Sequence, residues 1–238
     1  MASNEVPFVP WSEFLADFLA AWKPNTKGQA EQVALVGPTG QGKSTLALRL
    51  LSERAKQRES HIVVLATKPS DATLTRLGWP ILKTWPPGYG QNQVIYWPTF
   101  GDVRSAATRQ KKAFTDVLAE IFRDGNRTVY FDEVAYFSAT LRMDPMLNQF
   151  YQQGRSNNLL LMSGTQRPRN VPRTMFSECS WFFAFRTADE DELKRVSEIG
   201  GTDTKLIREH MRTLKPHEFI CVRTRTGDIV KSKADKGA

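Results

Sequence analysis

Gly37-Pro38-Thr39-Gly40-Gln41-Gly42-Lys43-Ser44 is the stretch that leaves this chain the fewest options. It fits G-x-x-x-x-G-K-[ST] in full. It lies between a short apolar run, Val33–Val36, and a helical pattern over 44–57 that carries Leu46, Leu50 and Leu51. A strand that passes through glycines straight into a helix gathers backbone N–H groups and the positive end of a helix dipole around one point. That is a phosphate cradle. In it Gly37, Pro38, Thr39, Gly40, Gln41 and Gly42 wrap the polyphosphate, with Thr45 extending the contact. Lys43 reaches the β- and γ-phosphates, and the Ser44 hydroxyl completes a Mg²⁺ shell.

The rest of the chain alternates in the way such a cradle requires. Residues 61–66 are a continuous apolar run of the buried parallel-strand type, and 128–132, Leu159–Thr165 and Trp181–Phe185 read as further strands. Between and after them, helical periodicity marks 102–122, 145–154, 172–177, 189–199 and 203–213. Strands alternating with helices predict an α/β fold with a mostly parallel sheet flanked by helices. A terminal β-hairpin is predicted at 218–224 and 228–231, turned at Thr226-Gly227. Phe14, Leu15, Phe18, Leu19 and Trp22 give 12–22 the pattern of an amphipathic helix, ended by Pro24 and Gly28. The expected division is an N-terminal helical extension over 1–30 and a motor domain over 31–238. Segment 78–101, rich in proline, glycine and tryptophan, reads as irregular apart from a strand at 94–97.

Two strand ends carry chemistry. The run 128–132 finishes in Asp132-Glu133, the Walker B pattern. Asp132 there holds Mg²⁺ through water, and Glu133 is placed to polarise the attacking water as general base. An acid directly after the metal-binding Asp points to hydrolysis rather than binding alone. Leu159–Thr165 ends in Gln166, whose amide can contact both the γ-phosphate and the water. A guanine-specific [NT]-K-x-D signature fails by one residue in Thr67-Lys68-Pro69-Ser70-Asp71, so ATP is the expected nucleotide.

The stretch from Gly154-Arg155-Ser156-Asn157-Asn158 through the apolar strand to Thr165-Gln166-Arg167-Pro168 resembles the HerA/FtsK superfamily of DNA-pumping ATPases. With the Walker motifs and the Lys215-Pro216-His217-Glu218-Phe219 segment, the likeness spans roughly 33–233. It departs where members carry D-P-K: here Ala66-Thr67-Lys68-Pro69 retains only the lysine. The resemblance implies a RecA-like core, a pentameric or hexameric ring, and ATP-driven translocation of double-stranded DNA. It also implies Gln166 as sensor and Arg155 as an arginine finger acting on the neighbouring subunit's nucleotide, which in turn requires a homo-oligomer.

Composition narrows the partners. The chain has 238 residues and a formal charge of +8, which suits a polyanion. Two cysteines exclude a disulfide framework, and no run of about 18 apolar residues predicts a membrane span. Helix 102–122 offers Arg104, Arg109, Lys111 and Lys112 as phosphate-tracking residues. Trp79, Trp85, Tyr89 and Trp97 are expected to belong to a packed structural loop or a docking surface rather than to stack on bases. The length fits the motor core without the accessory domains of larger relatives, as in small viral genome-packaging ATPases. The expectation is therefore a packaging motor in the (host) cytoplasm, with a capsid or portal vertex as partner. A DNA-transfer or segregation motor, or an assembly ATPase with no DNA substrate, remains open.

Overall fold

The computed structural model describes residues 5–22, 30–57, 60–196 and 203–234. In chain order the elements are α1 (Trp11–Ala21), β1 (Val33–Val36), α2 (Lys43–Ala55), β2 (Ile62–Leu65), α3 (Ala72–Thr75), β3 (Ile81–Leu82), β4 (Gln93–Tyr96), α4 (Val103–Asp124) and β5 (Arg127–Phe131). A π-helical turn (Tyr136–Thr140) leads to α5 (Asp144–Gln153) and β6 (Leu159–Thr165). Then come α6 (Thr174–Ser177), β7 (Trp181–Phe185), α7 (Glu190–Val196), α8 (Thr204–Thr213), β8 (Glu218–Arg223) and β9 (Asp228–Lys233). The strands form one sheet in the order β3-β4-β2-β5-β6-β1-β7-β8-β9. Pairing is parallel from β3 through β7 and antiparallel across β7, β8 and β9.

Alternation along the strands divides the core between two faces. Val33 and Leu35 point with Ile62, Val64, Leu160 and Phe183 toward α1 and α2. Ala34 and Val36 point with Val63, Leu65, Leu161 and Phe182 toward α4, α5, α7 and α8. Covered on both sides, the central strands are buried throughout, and β1 and β2 are apolar along their whole length. The chain leaves β1 for β2, three places to one side, while β7 pairs on its other flank. Strand order thus reverses at β1, the kind of crevice in which open α/β sheets bind ligands.

Helix α1 is fixed to the sheet by aromatic rings. Phe18 is fully buried, 5.0 Å from Trp181, 5.1 Å from Trp22 and 5.6 Å from Phe183 between ring centroids. Val9 N donates to Lys231 O at 2.8 Å and Lys231 N to Pro7 O at 2.8 Å, so the segment before α1 covers the free edge of β9. Buried Arg54 joins α2 to both neighbours, donating to Thr128 Oγ1 at 3.3 Å and to Trp22 O at 3.2 Å.

The expected strands and longer helices are present. Short α3, two-residue β3 and the π-helical turn escape periodicity because each is about one helical turn or less. Pro24, Gly28 and residues 197–199 of the expected 189–199 helix lie outside the described residues. Segment 78–101 is buried only over 94–98, and much of the rest is exposed. Trp97 is buried and donates to Lys68 O at 2.6 Å, and Trp85 donates to Glu120 Oε2 at 3.0 Å, whereas Tyr89 is fully exposed. No helix among the described residues is long and apolar enough to cross a membrane.

Phe18→Ala removes a ring at the centre of the α1 contact, and a deletion of this kind costs about 3–5 kcal/mol. Urea unfolding should show that loss. A change below about 1 kcal/mol would mean that α1 contributes little to the folded core.

Candidate active site

The P-loop is shaped by glycines that no other residue replaces without strain or collision. Gly40 has φ 81° and Gly42 φ 102°, and Gly42 caps α2 in the left-handed region. A Cβ on Gly37 would stand 2.6 Å from Phe185 Cβ, so the start of the loop passes against β7 at a distance only glycine allows. The loop closes around a cavity of about 250 Å³, with Lys43, Ser44, Thr45 and Gln166 among its walls. From the C-terminal side His217 covers it. Its backbone is left-handed (φ 66°) and its Nδ1 lies 3.1 Å from where a Gly42 Cβ would be.

Asp132 and Glu133 follow β5 and lie across β6 from the P-loop strand. Glu133 is clamped from β6: Thr165 Oγ1 donates to Oε1 at 2.8 Å, and Gln166 N donates to Oε2 at 3.1 Å. The Gln166 side chain turns the other way, its Oε1 accepting from Thr39 Oγ1 at 2.7 Å. Gln166 therefore bridges the tip of the P-loop and the acid that follows the strand. Sequence reasoning assigned Gln166 but missed Thr165, although the hydroxyl beside the amide in Thr-Gln-Arg-Pro was the available signal.

Charge is concentrated and buried here. Lys43 is 4% exposed and Asp132 1%. Burial holds the Lys43 ammonium below the ordinary lysine value, against the pull of Glu133 and Asp132. Burial likewise raises both carboxyls: Asp132 against Lys68 and Lys43, Glu133 against the Thr165 hydrogen bond and Lys43. Asp132 Oδ1 accepts from Tyr130 at 3.4 Å, whereas Oδ2 has no hydrogen-bond partner. A buried carboxylate oxygen without a hydrogen-bond partner has the chemistry to take a hard cation, and Ser44 offers a hydroxyl in the wall of the P-loop cavity. Lys68, at the end of β2, stands 3.5 Å from that oxygen.

A second cavity, about 920 Å³, opens on the far side of Glu133 and shares Lys68 and Gln166 with the first. Buried Gln110 of α4 lies on its wall, accepting from the Tyr136 hydroxyl at 2.5 Å and donating to Pro98 O at 3.1 Å. Arg104, Arg109, Lys111 and Lys112 are exposed on the same helix; Lys112 pairs with Asp116 at 2.8 Å.

Arg155 stands apart from all these groups. It precedes β6 while Gln166 follows it, so the length of the strand, roughly 20 Å, separates them. Its Nε donates to Ala30 O at 3.1 Å, and it shares a basic cavity with Arg173, Arg195 and Arg225. Arg155 thus cannot serve the P-loop of its own subunit.

The sequence profile of the family described as "AAA domain" matches residues 26–168. No curated protein matches the chain in sequence. Among solved structures, B204, the DNA-packaging ATPase of Sulfolobus Turreted Icosahedral Virus, matches with a TM-score of 0.66 at 16% identity, covering 86% of this chain and 98% of its own. VirB4 of Thermoanaerobacter pseudethanolicus matches at 0.70 and 10% identity, covering 92% and 93%. The pCW3 conjugation coupling protein TcpA matches at 0.56 and 15%, covering 97% and 71%. At these identities the likeness is one of fold: a RecA-like, mostly parallel sheet with flanking helices.

Glu133→Gln keeps the shape of the clamped side chain and removes its basicity. Turnover of ATP should fall by about 10²–10⁴ while nucleotide affinity stays within a few-fold. Near-normal turnover would exclude Glu133 as the base.

Proposed function

We propose, because the chain belongs to the AAA-domain family, that it is an ATP hydrolase whose cycle drives a ring of subunits along double-stranded DNA, as in viral genome packaging. The observation that carries the reading is the clamp on Glu133. A general base needs a carboxylate fixed in direction beside the terminal phosphate, and Thr165 and Gln166 supply that fixing.

The roles follow from position. Backbone N–H groups of 39–45, at the loop and the start of α2, hold the triphosphate, and Lys43 faces its β- and γ-oxygens. Glu133 takes a proton from the attacking water, and Gln166 orients that water from the P-loop side. Ser44 and Asp132 would hold Mg²⁺, which when bound neutralises charge on the β- and γ-oxygens. Arg155, remote from its own P-loop, is assigned to the neighbouring subunit's nucleotide, where an arginine finger stabilises transition-state charge. That assignment requires a homo-oligomer, five- or six-membered by the resemblance.

Support for DNA as substrate comes from the +8 charge, the exposed cations of α4 and the fold shared with a DNA-packaging ATPase. Gln110 lies between Arg109 and Lys111 and reaches Tyr136, three residues past Glu133, so a force on the basic face of α4 has a short route to the site. The fold shared with VirB4 and a conjugation coupling protein supports transfer of DNA between cells as a second reading within the same motor class. A capsid or portal vertex is the partner proposed under the first reading, and the host cytoplasm its location.

Double-stranded DNA should stimulate the ATPase, and stimulation should fall as salt rises. Replacing Lys111 and Lys112 by glutamine should lower the slope of log affinity against log salt by about 1–2. DNA-indifferent hydrolysis would instead favour an assembly ATPase. Arg155→Ala should leave ATP binding within a few-fold and reduce turnover by about 10³ or more. Normal turnover in that variant, or a strictly monomeric mass with ATP present, would remove the finger assignment.

A further inference from the structure

Lys68 has no role in the proposed hydrolysis, yet it stands against two of the site's carboxylates. Its Nζ donates to Asp71 Oδ2 at 2.8 Å and stands 3.5 Å from Asp132 Oδ2, the oxygen without a hydrogen-bond partner. Asp71 is itself held. Its other oxygen caps α3, accepting from Thr73 N at 2.8 Å and Leu74 N at 3.2 Å. The backbone at Lys68 is pinned as well, since Trp97 donates to its carbonyl at 2.6 Å and Gln110 to that of Thr67 at 3.5 Å. Stem and tether are therefore fixed while the ammonium keeps some freedom: the side chain is 38% exposed, against 9% for Asp71 and 1% for Asp132. Lys68 borders both the P-loop cavity and the larger cavity beyond Glu133.

A divalent cation on Asp132 Oδ2 and an ammonium 3.5 Å from the same oxygen are like charges competing for one anion. The ammonium has to yield. Asp71 keeps it from leaving, and the adjoining P-loop cavity is where a triphosphate brings new negative charge. We propose that Lys68 is a movable counter-cation that neutralises Asp132 in the empty site and turns to the terminal phosphate when Mg²⁺ and a nucleoside triphosphate enter. It rests on the reading of the site as one for ATP. Its consequence is specificity: Lys43 serves any polyphosphate that fills the loop, whereas Lys68 distinguishes a γ-phosphate from its absence. The empty state also gains, because the deepest carboxylate in the site is never without a cation.

Two variants and binding alone test this. Fluorescent ATP and ADP analogues are titrated, with Mg²⁺, against wild type, Lys68→Met and Lys68→Arg. Loss of one charge-assisted contact to the γ-phosphate should lower the preference for the triphosphate by about ten- to a hundred-fold in Lys68→Met. The diphosphate affinity should stay within about threefold, and Lys68→Arg should restore most of the preference. An unchanged preference, or an equal loss for both nucleotides, would overturn the proposal. In the nucleotide-free protein, millimolar Mg²⁺ alone should raise the Tm of Lys68→Met, whose Asp132 lacks its cation, and leave wild type unmoved. Equal Mg²⁺ responses would also overturn it. Failure of wild type to bind ATP at all would refute the nucleotide reading itself, a separate outcome.

Discussion

Strand β6 is the element on which the rest of the site depends, and the close approach of its end to β5 is the controlling constraint. A Cβ on Gly164 would stand 2.8 Å from Asp132 O, so the two strand ends touch backbone to backbone. That contact sets Thr165 and Gln166 beside Glu133. On the other side Thr165 O accepts from Gly37 N at 3.2 Å, which ties the same residue to the start of the P-loop. The P-loop and Glu133 are thus referred to one strand end. Their relative position follows from sheet register and not from flexible side chains, as a hydrolytic site requires.

Ionised groups taken out of water are costly unless paired. Lys43, Asp132 and Glu133 are all at least partly withdrawn, and burial shifts each toward its neutral form while the opposite charges resist. Lys68 and Asp71 complete the set on the solvent side. Three carboxylates, Asp71, Asp132 and Glu133, thus lie with two ammonium groups, Lys43 and Lys68, and Lys68 stands against both Asp71 and Asp132. Gly42 (φ 102°) and His217 (φ 66°) take left-handed backbone beside the P-loop cavity, and Asp132 Oδ2 lacks a hydrogen-bond partner.

The features legible in sequence were those with a local cause. Spacing of glycines announced the P-loop, and an unbroken apolar run announced a strand covered on both faces at Ile62–Leu65. Asp132, Glu133 and Gln166 were legible because each ends a predicted strand. What escaped depends on contacts between distant segments. His217 reaches Gly42 across the sheet, Thr165 acts through β5, and Lys68 acquires meaning only beside Asp132. Trp85 and Trp97 read correctly as packing residues, but their partners, Glu120 and the Lys68 carbonyl, could not be read from composition. For Arg155 the sequence offered a role by resemblance, and the fold adds that any such role lies across a subunit boundary.

Hydrolysis at a P-loop becomes transport only if subunits advance along the duplex, and that step is directly observable. A third strand annealed on double-stranded DNA is displaced by any motor that travels beneath it. With ATP, the wild-type protein should displace it at a rate that falls with the length of duplex leading to the triplex, and Glu133→Gln should displace none. DNA-stimulated ATP hydrolysis by the wild type with no displacement would contradict the account.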